Sequence, residues 1–114
     1  MKIELLGTRL SLTPSIRTYV DQKIGGVGKF IKRFETEQEH TAFVELARTT
    51  RHHRHGEVFY AEVTLRLPGK VIRVEEYHED IRAAIDRAKD RLKAELSRFK
   101  RKVSAKPRGR SLRR

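Results

Sequence analysis

Apolar and polar residues alternate in four segments of the chain, and this alternation predicts four β-strands. Residues 2–7 and 41–50 form two of these segments. Residues 58–67 and 70–77 flank the turn sequence Pro68-Gly69, so they are predicted to form a hairpin. The alternation is strictest in residues 58–67, whose core-facing side chains would be Phe59, Ala61, Val63, Leu65 and Leu67.

Two other segments have the apolar spacing of a helix. The first is predicted to begin after Thr13, a good N-cap residue, with Pro14 in the first helical position. Its apolar stripe runs from Ile16 through the glycines to Phe34, which predicts one continuous helix. The second would be capped by Asp80, and its stripe is Ile81, Ala84, Ile85, Ala88, Leu92, Leu96, Phe99 and Val103.

This order of elements, β-α-β-β-β-α, predicts an α+β sandwich. A four-stranded, mainly antiparallel sheet would carry both helices on one face. Residues 1–103 are predicted to form this domain. Residues 104–114 contain proline, glycine and cations but no core residues, which predicts a flexible basic tail.

The composition limits the classes of protein to consider. A chain of 114 residues with 37% apolar and 37% charged residues fits one small, polar globular domain. Because it has no cysteine, disulfides and thiolate zinc sites are excluded. No apolar run approaches the roughly 20 residues of a membrane span, and no signal peptide opens the chain, so a cytoplasmic protein is expected.

The charge of the chain favours a polyanionic partner. The formal net charge is +12, with a pI near 10.6. Nine of the 27 lysines and arginines lie between Arg98 and Arg114, a segment with no acidic residue. Nucleic acid is the favoured partner, and an anionic membrane or an acidic protein are the alternatives.

The stretch IGGVGKF, residues 24–30, looks like a nucleotide-binding P-loop. A P-loop follows a buried strand and opens a helix, whereas these glycines follow ten residues of amphipathic helix. Phe30 also stands where the hydroxyl residue that holds magnesium is required. Nucleotide binding is therefore not predicted, and the glycines are interpreted as a weak point in a helix.

No catalytic or metal site is predicted. His52, His53 and His55 lie among arginines on one polar turn, and those cations would repel a metal ion. A solvated or polyanion-facing loop is the favoured interpretation, with a metal-dependent nuclease as the alternative. No Ser/His/Asp or Cys/His arrangement can be placed. The protein is expected not to be an enzyme and to need no cofactor.

The second helix has a stripe of cations beside its apolar stripe. Arg87, Arg91, Arg98 and Lys102 recur at spacings of four, seven and four and continue into the basic C-terminal segment. Such a stripe is either a solvated face or a surface that follows a phosphate backbone. Lys23 and Lys29 add cations on the first helix. Aromatic residues are scarce, so recognition of folded RNA through its backbone and shape is favoured over base stacking.

Residues 61–102, AEVTLRLPGKVIRVEEYHEDIRAAIDRAKDRLKAELSRFKRK, resemble the ribosome hibernation-promoting factors, also called ribosome-associated inhibitor or subunit-interface proteins. Residues 12–24, LTPSIRTYVDQKI, resemble the first helix of that family. The resemblance covers roughly residues 1–103. It departs from the family pattern where Arg82 replaces a tyrosine, Ala94 an arginine and Gly26 a lysine.

The resemblance implies a fold similar to double-stranded RNA-binding domains and a function without catalysis. Members bind ribosomal RNA in the decoding channel of the small ribosomal subunit and inhibit translation. This chain is expected to be a short member, monomeric off the ribosome, with no membrane or small-molecule partner. The alternatives are a generic double-stranded RNA-binding module, a nuclease, or a regulator that binds the transcription machinery. The candidate RNA-binding residues are Lys23, Lys29, Arg82, Arg87, Arg91, Arg98 and Lys102.

Overall fold

The structure, a computed structural model, describes residues 1–32, 40–49, 58–67 and 69–111, with side chains described through residue 102. The predicted histidine loop, with His52, His53 and His55, lies outside these ranges. The strands are β1 (Lys2–Thr8), β2 (Thr41–Thr49), β3 (Val58–Leu67) and β4 (Lys70–His78). The helices are α1 (Pro14–Lys23), α2 (Gly28–Ile31) and α3 (Ile81–Ser111), and Gly25–Val27 forms a 3₁₀ turn.

The four strands form one sheet in the order β1-β2-β3-β4. β1 is parallel to β2, and the other two pairs are antiparallel. A parallel pair needs a crossover connection, which α1, the 3₁₀ turn and α2 supply on one face of the sheet. The predicted α+β sandwich, with both helical segments on that face, is confirmed. The similarity to double-stranded RNA-binding domains stays a prediction.

Both predicted N-caps are confirmed. The backbone N–H of Ile16 donates to Thr13 Oγ1 at 3.2 Å, and Pro14 follows the cap directly. The N–H of Arg82 donates to Asp80 Oδ1 at 3.0 Å. Each cap satisfies one of the N–H groups that the first helical turn leaves unpaired, so these residues set where α1 and α3 begin.

The prediction of one continuous helix through the glycines is wrong. α1 ends at Lys23, and the chain passes through the 3₁₀ turn before α2. Glycine favours such a break because it is among the poorest helix formers. The apolar stripe nevertheless remains, since Ile24, Val27 and Ile31 are all buried. Phe34, the predicted end of the stripe, lies outside the described residues.

The core lies between the helices and one face of the sheet. α3 buries Ala84, Ile85, Ala88, Leu92 and Leu96 against the alternate residues of the strands. Each large apolar side chain that is fully buried contributes roughly 1.5–3 kcal/mol. The sheet residues of the core are Ala42, Val44, Leu46, Ala61, Val63, Leu65, Leu67, Ile72 and Val74.

α3 continues past residue 103, where the sequence predicts that the domain ends. Its backbone is helical to Ser111, which differs from the predicted flexible tail. Extending an existing helix is easier than starting one, and alanine, lysine and arginine favour helix, whereas Pro107 and Gly109 in the same segment oppose it. The division into a domain and a tail at residue 103 stays a prediction. None of the described helices is long and apolar enough to cross a membrane.

Candidate nucleic-acid interface

α3 presents cations on both flanks of its buried stripe. Residues three, four and seven apart lie on the same side of a helix, so the cations fall into two rows. The β4-side row consists of Arg87, Arg91, Arg98 and Lys102, all exposed. The cleft row lies on the flank that faces α1 and α2. It consists of Arg82, Lys89, Lys93 and Lys100, all half-buried.

Arg91 fixes the position of the β4-side row. Its Nη1 lies 3.0 Å from Glu76 Oε2 and 3.2 Å from the carbonyl oxygen of Glu75, so the row runs beside β4. Within the part of the chain that the structure describes, Arg98 bonds only to Glu95, one turn earlier on the same helix, at 3.2 Å. Arg91 is therefore partly neutralised by a neighbouring strand. Among the described residues, no hydrogen bond or ion pair joins the other three side chains of the row to another element.

The cleft row is ordered by aromatic rings from α1 and α2. The Arg82 guanidinium carbon lies 5.2 Å from the centre of the Tyr19 ring, and its Nη2 donates to Ser15 Oγ. Lys93 and Lys100 converge on the ring of Phe30, with Nζ distances of 5.1 and 5.4 Å to its centre. A cation over an aromatic face is attracted to it, and the charge stays available to a further anion.

Tyr19 joins α1 to α3 at the start of this cleft. Its hydroxyl donates to Asp86 Oδ1 at 2.7 Å, and this bond, with burial, raises the pKa of the tyrosine above its usual range. The Nζ of Lys23 also lies over its ring, 5.4 Å from the centre. Lys23 and Arg82, two of the candidate residues, thus meet on one aromatic ring.

The structure therefore divides the seven candidate residues between three places. Lys23 and Arg82 lie at the Tyr19 end of the cleft, and Lys29 is exposed on α2. The remaining four form the β4-side row. That these residues bind RNA stays a prediction.

Sequence reasoning missed the contribution of Lys93 and Lys100. Neither lysine is among the seven candidate residues that the sequence predicts. The structure pairs Lys89 with Asp90 at 3.4 Å, whereas Asp86 bonds to Tyr19. The seven-residue spacing of Lys93 and Lys100 places them on one flank, but only the fold shows that this flank faces Phe30.

The chemistry of this surface is that of an anion-binding face. Lysine ammonium and arginine guanidinium groups neutralise phosphates, and each such contact releases counterions. No group of three or more histidine, cysteine or acidic side chains is placed to hold a metal ion in the part of the chain that the structure describes.

The comparison with family models identifies the chain. Residues 3–104 match the model described as Sigma 54 modulation protein / S30EA ribosomal protein. The chain belongs to this family. The resemblance found in the sequence is therefore confirmed over residues 3–104.

Curated relatives from several bacteria are all named Ribosome hibernation promotion factor. The Ribosome hibernation promotion factor of Deinococcus radiodurans is 31% identical over 97 residues, covering 85% of this chain and 48% of the relative. That of Picosynechococcus sp. is 33% identical over 103 residues, covering 90% of this chain and 50% of the relative. The chain thus spans about half the length of the curated relatives that it matches.

Two solved structures share the fold of this chain. The Thermus thermophilus Protein Y N-terminal domain matches with a TM-score of 0.69 and 36% identity, covering 87% of this chain and 99% of that domain. A ribosomal subunit interface protein from Coxiella burnetii matches with a TM-score of 0.66 over 88% of this chain and 98% of that one. At 18% identity the second match supports the fold alone.

Proposed function

We propose that this protein is a ribosome hibernation factor that binds ribosomal RNA of the small ribosomal subunit and thereby blocks translation. The observation that carries the proposal is the match of nearly the whole chain to one half of proteins named Ribosome hibernation promotion factor. The two cation rows of α3 support the choice of ribosomal RNA as the partner, since RNA offers dense phosphate charge on both sides of a narrow protein surface.

The proposed mechanism is occupancy without chemistry. Lys23, Arg82 and the rest of the cleft row would neutralise phosphates on one side of α3, and the β4-side row would neutralise them on the other. The cleft cations are held by Tyr19 and Phe30, so little side-chain entropy is lost when they bind. A protein held in the tRNA and mRNA channel in this way excludes the translation substrates.

Sedimentation with purified subunits tests this proposal. The protein is expected to sediment with small subunits at about one copy each, and an excess of free duplex RNA should not displace it. In a cell-free translation system, inhibition should saturate near one protein per ribosome. Inhibition at catalytic amounts with degraded ribosomal RNA would instead support a nuclease, and displacement by free duplex RNA would support a generic RNA-binding module.

A further inference from the structure

The sheet face opposite the helices has an unusual composition for a strongly basic protein. Every large apolar side chain that is exposed among the described residues lies on this open face: Leu6, Phe43, Val71 and Tyr77, each between 46% and 59% exposed. Tyr60 packs beside Tyr77, with ring centres 5.0 Å apart. Exposed apolar groups concentrated on one face, rather than scattered, indicate a contact surface.

The charge of the open face also differs from that of the rest of the chain. Strand register places Glu45, Glu62 and Glu75 side by side across three strands, with Leu6 beside Glu45. With Glu4, the open face carries four glutamates against Lys2, Arg66 and Arg73. The whole chain has 27 lysines and arginines against 15 acidic residues, so the cations lie mainly elsewhere.

This arrangement works against the stability of the sheet. Like charges directly opposite each other on neighbouring strands are destabilising. Arg73 compensates part of the row by bonding to Glu62 and, at 2.7 Å, to Glu75. Among the described residues, Glu45 receives only a hydroxyl hydrogen bond, from Thr8 Oγ1 at 2.7 Å. A row of glutamates beside Leu6 and Phe43 therefore needs a reason other than folding.

We infer that the open face docks a lysine- and arginine-rich segment of a ribosomal protein that borders the RNA site. The inference rests on the proposed function, because the partner belongs to the same subunit. The glutamates would pair with the cations of the segment, and Leu6, Phe43 and Tyr77 would cover its apolar side chains. Proteins that bind ribosomal RNA need such basic segments to neutralise phosphates.

The same chemistry argues against the other occupants. RNA would bring phosphates against Glu45 and Glu62. A second copy packed face to face, with the two-fold axis at the glutamate row, would bring two glutamate rows together. A basic polypeptide meets both the charge and the exposed apolar groups, and it leaves the helical face free for RNA.

Photocrosslinking on purified small subunits tests the inference. Phe43 is replaced by photoreactive benzoylphenylalanine, and a control protein carries the same group at Ala94, an exposed position on α3. The label at position 43 should form an adduct with a lysine- and arginine-rich segment of one ribosomal protein, and the label at position 94 with ribosomal RNA.

Two results would overturn the inference. One is an adduct from position 43 to RNA, to a second copy of this chain or to the C-terminal segment of the same chain. The other is the absence of any adduct from position 43 while the label at position 94 still reacts. A protein that neither sediments with subunits nor reacts at either position refutes the proposed function, and the inference falls with it.

Charge variants give an independent measurement. The open-face variant Glu4→Gln/Glu45→Gln should dissociate from subunits about threefold to tenfold faster than wild type, because each partly exposed ion pair contributes modestly. Its binding to protein-free ribosomal RNA should stay unchanged. The matched control Asp21→Asn/Glu79→Gln removes the same charge at exposed positions away from this face and should behave as wild type. Equal dissociation of both variants would contradict the docking of a basic segment.

Discussion

Replacing three cations of the β4-side row tests whether this row binds phosphates or is only exposed to solvent. The variant is Arg87→Gln/Arg98→Gln/Lys102→Gln, and it keeps Arg91 because that side chain is tied to Glu76 at 3.0 Å. The three altered residues are exposed, and the only described ion pair among them is that of Arg98 with Glu95. Exposed substitutions of this kind change the free energy of unfolding by about 0.5 kcal/mol or less each.

The expected effect on binding follows from counterion release. Each phosphate contact contributes about 0.7–0.9 to the slope of log affinity against log salt concentration, so three lost contacts should reduce the slope by roughly two to three. A fourfold change in salt is about 0.6 log units. When salt is raised from about 50 to 200 mM, the affinities of wild type and of the variant both fall. The fold-loss should be roughly 20 to 40 times smaller for the variant than for wild type.

The assay is a titration of labelled protein with small subunits at several salt concentrations. The matched control, Arg9→Gln/Arg17→Gln/Lys70→Gln, removes the same total charge from exposed positions outside α3 and the open face. It should bind with the slope of wild type. A third protein, truncated after Val103, lacks five further cations and measures the share of the C-terminal segment. If the row variant keeps the wild-type slope while the truncated protein loses binding, the row is only a solvated face and its assigned role is wrong.

Three further predictions concern stability and ligands. Gly7→Ala should lower the free energy of unfolding by roughly 1–3 kcal/mol in urea titrations, because its Cβ would lie 2.6 Å from the Leu10 carbonyl oxygen. Gly26→Ala has no atom within 4 Å and should instead stabilise by about 0.4–1 kcal/mol, so equal effects would contradict the packing around Gly7. The pKa of Tyr60 is raised above 10.0, mainly by burial and then by Glu62. Its stabilising contribution should be complete below that value and be lost as pH rises above it, so Tyr60→Phe should flatten the alkaline decline in stability. ATP or GTP at millimolar concentration should leave the melting temperature unchanged, and a rise of several degrees would show that the protein does bind nucleotide.

The strands and helix starts could be predicted because their signals are local. Alternation fixes the inward face of a strand, and Thr13 and Asp80 each satisfy an N–H within two or three residues. The interruption at Gly25 was missed because Ile24, Val27 and Ile31 keep facing the core across it. Periodicity of apolar residues alone does not distinguish a continuous helix from one with a 3₁₀ turn.

The surface could be predicted only in part because it depends on contacts between distant residues. The β4-side row follows from spacing along α3, but its tie to Glu76 requires the position of β4. The convergence of Lys93 and Lys100 on Phe30 spans more than sixty residues, and nothing in either segment alone indicates it. The glutamate row was invisible for the same reason, since Glu45, Glu62 and Glu75 come together only through strand register.

The parallel pairing of β1 with β2 has a consequence for the order in which the protein folds. β3 and β4 are joined through Leu67 and Lys70, which pair directly, so this hairpin closes a short loop. Lys2, by contrast, pairs with Thr41, and closing that longer loop carries a greater entropic cost. β1 therefore emerges first during synthesis but has no partner until β2 has followed. Until then its apolar residues Ile3 and Leu5 stay unpaired on a nascent chain, so we expect that, of the four strands, the one made first joins the sheet last.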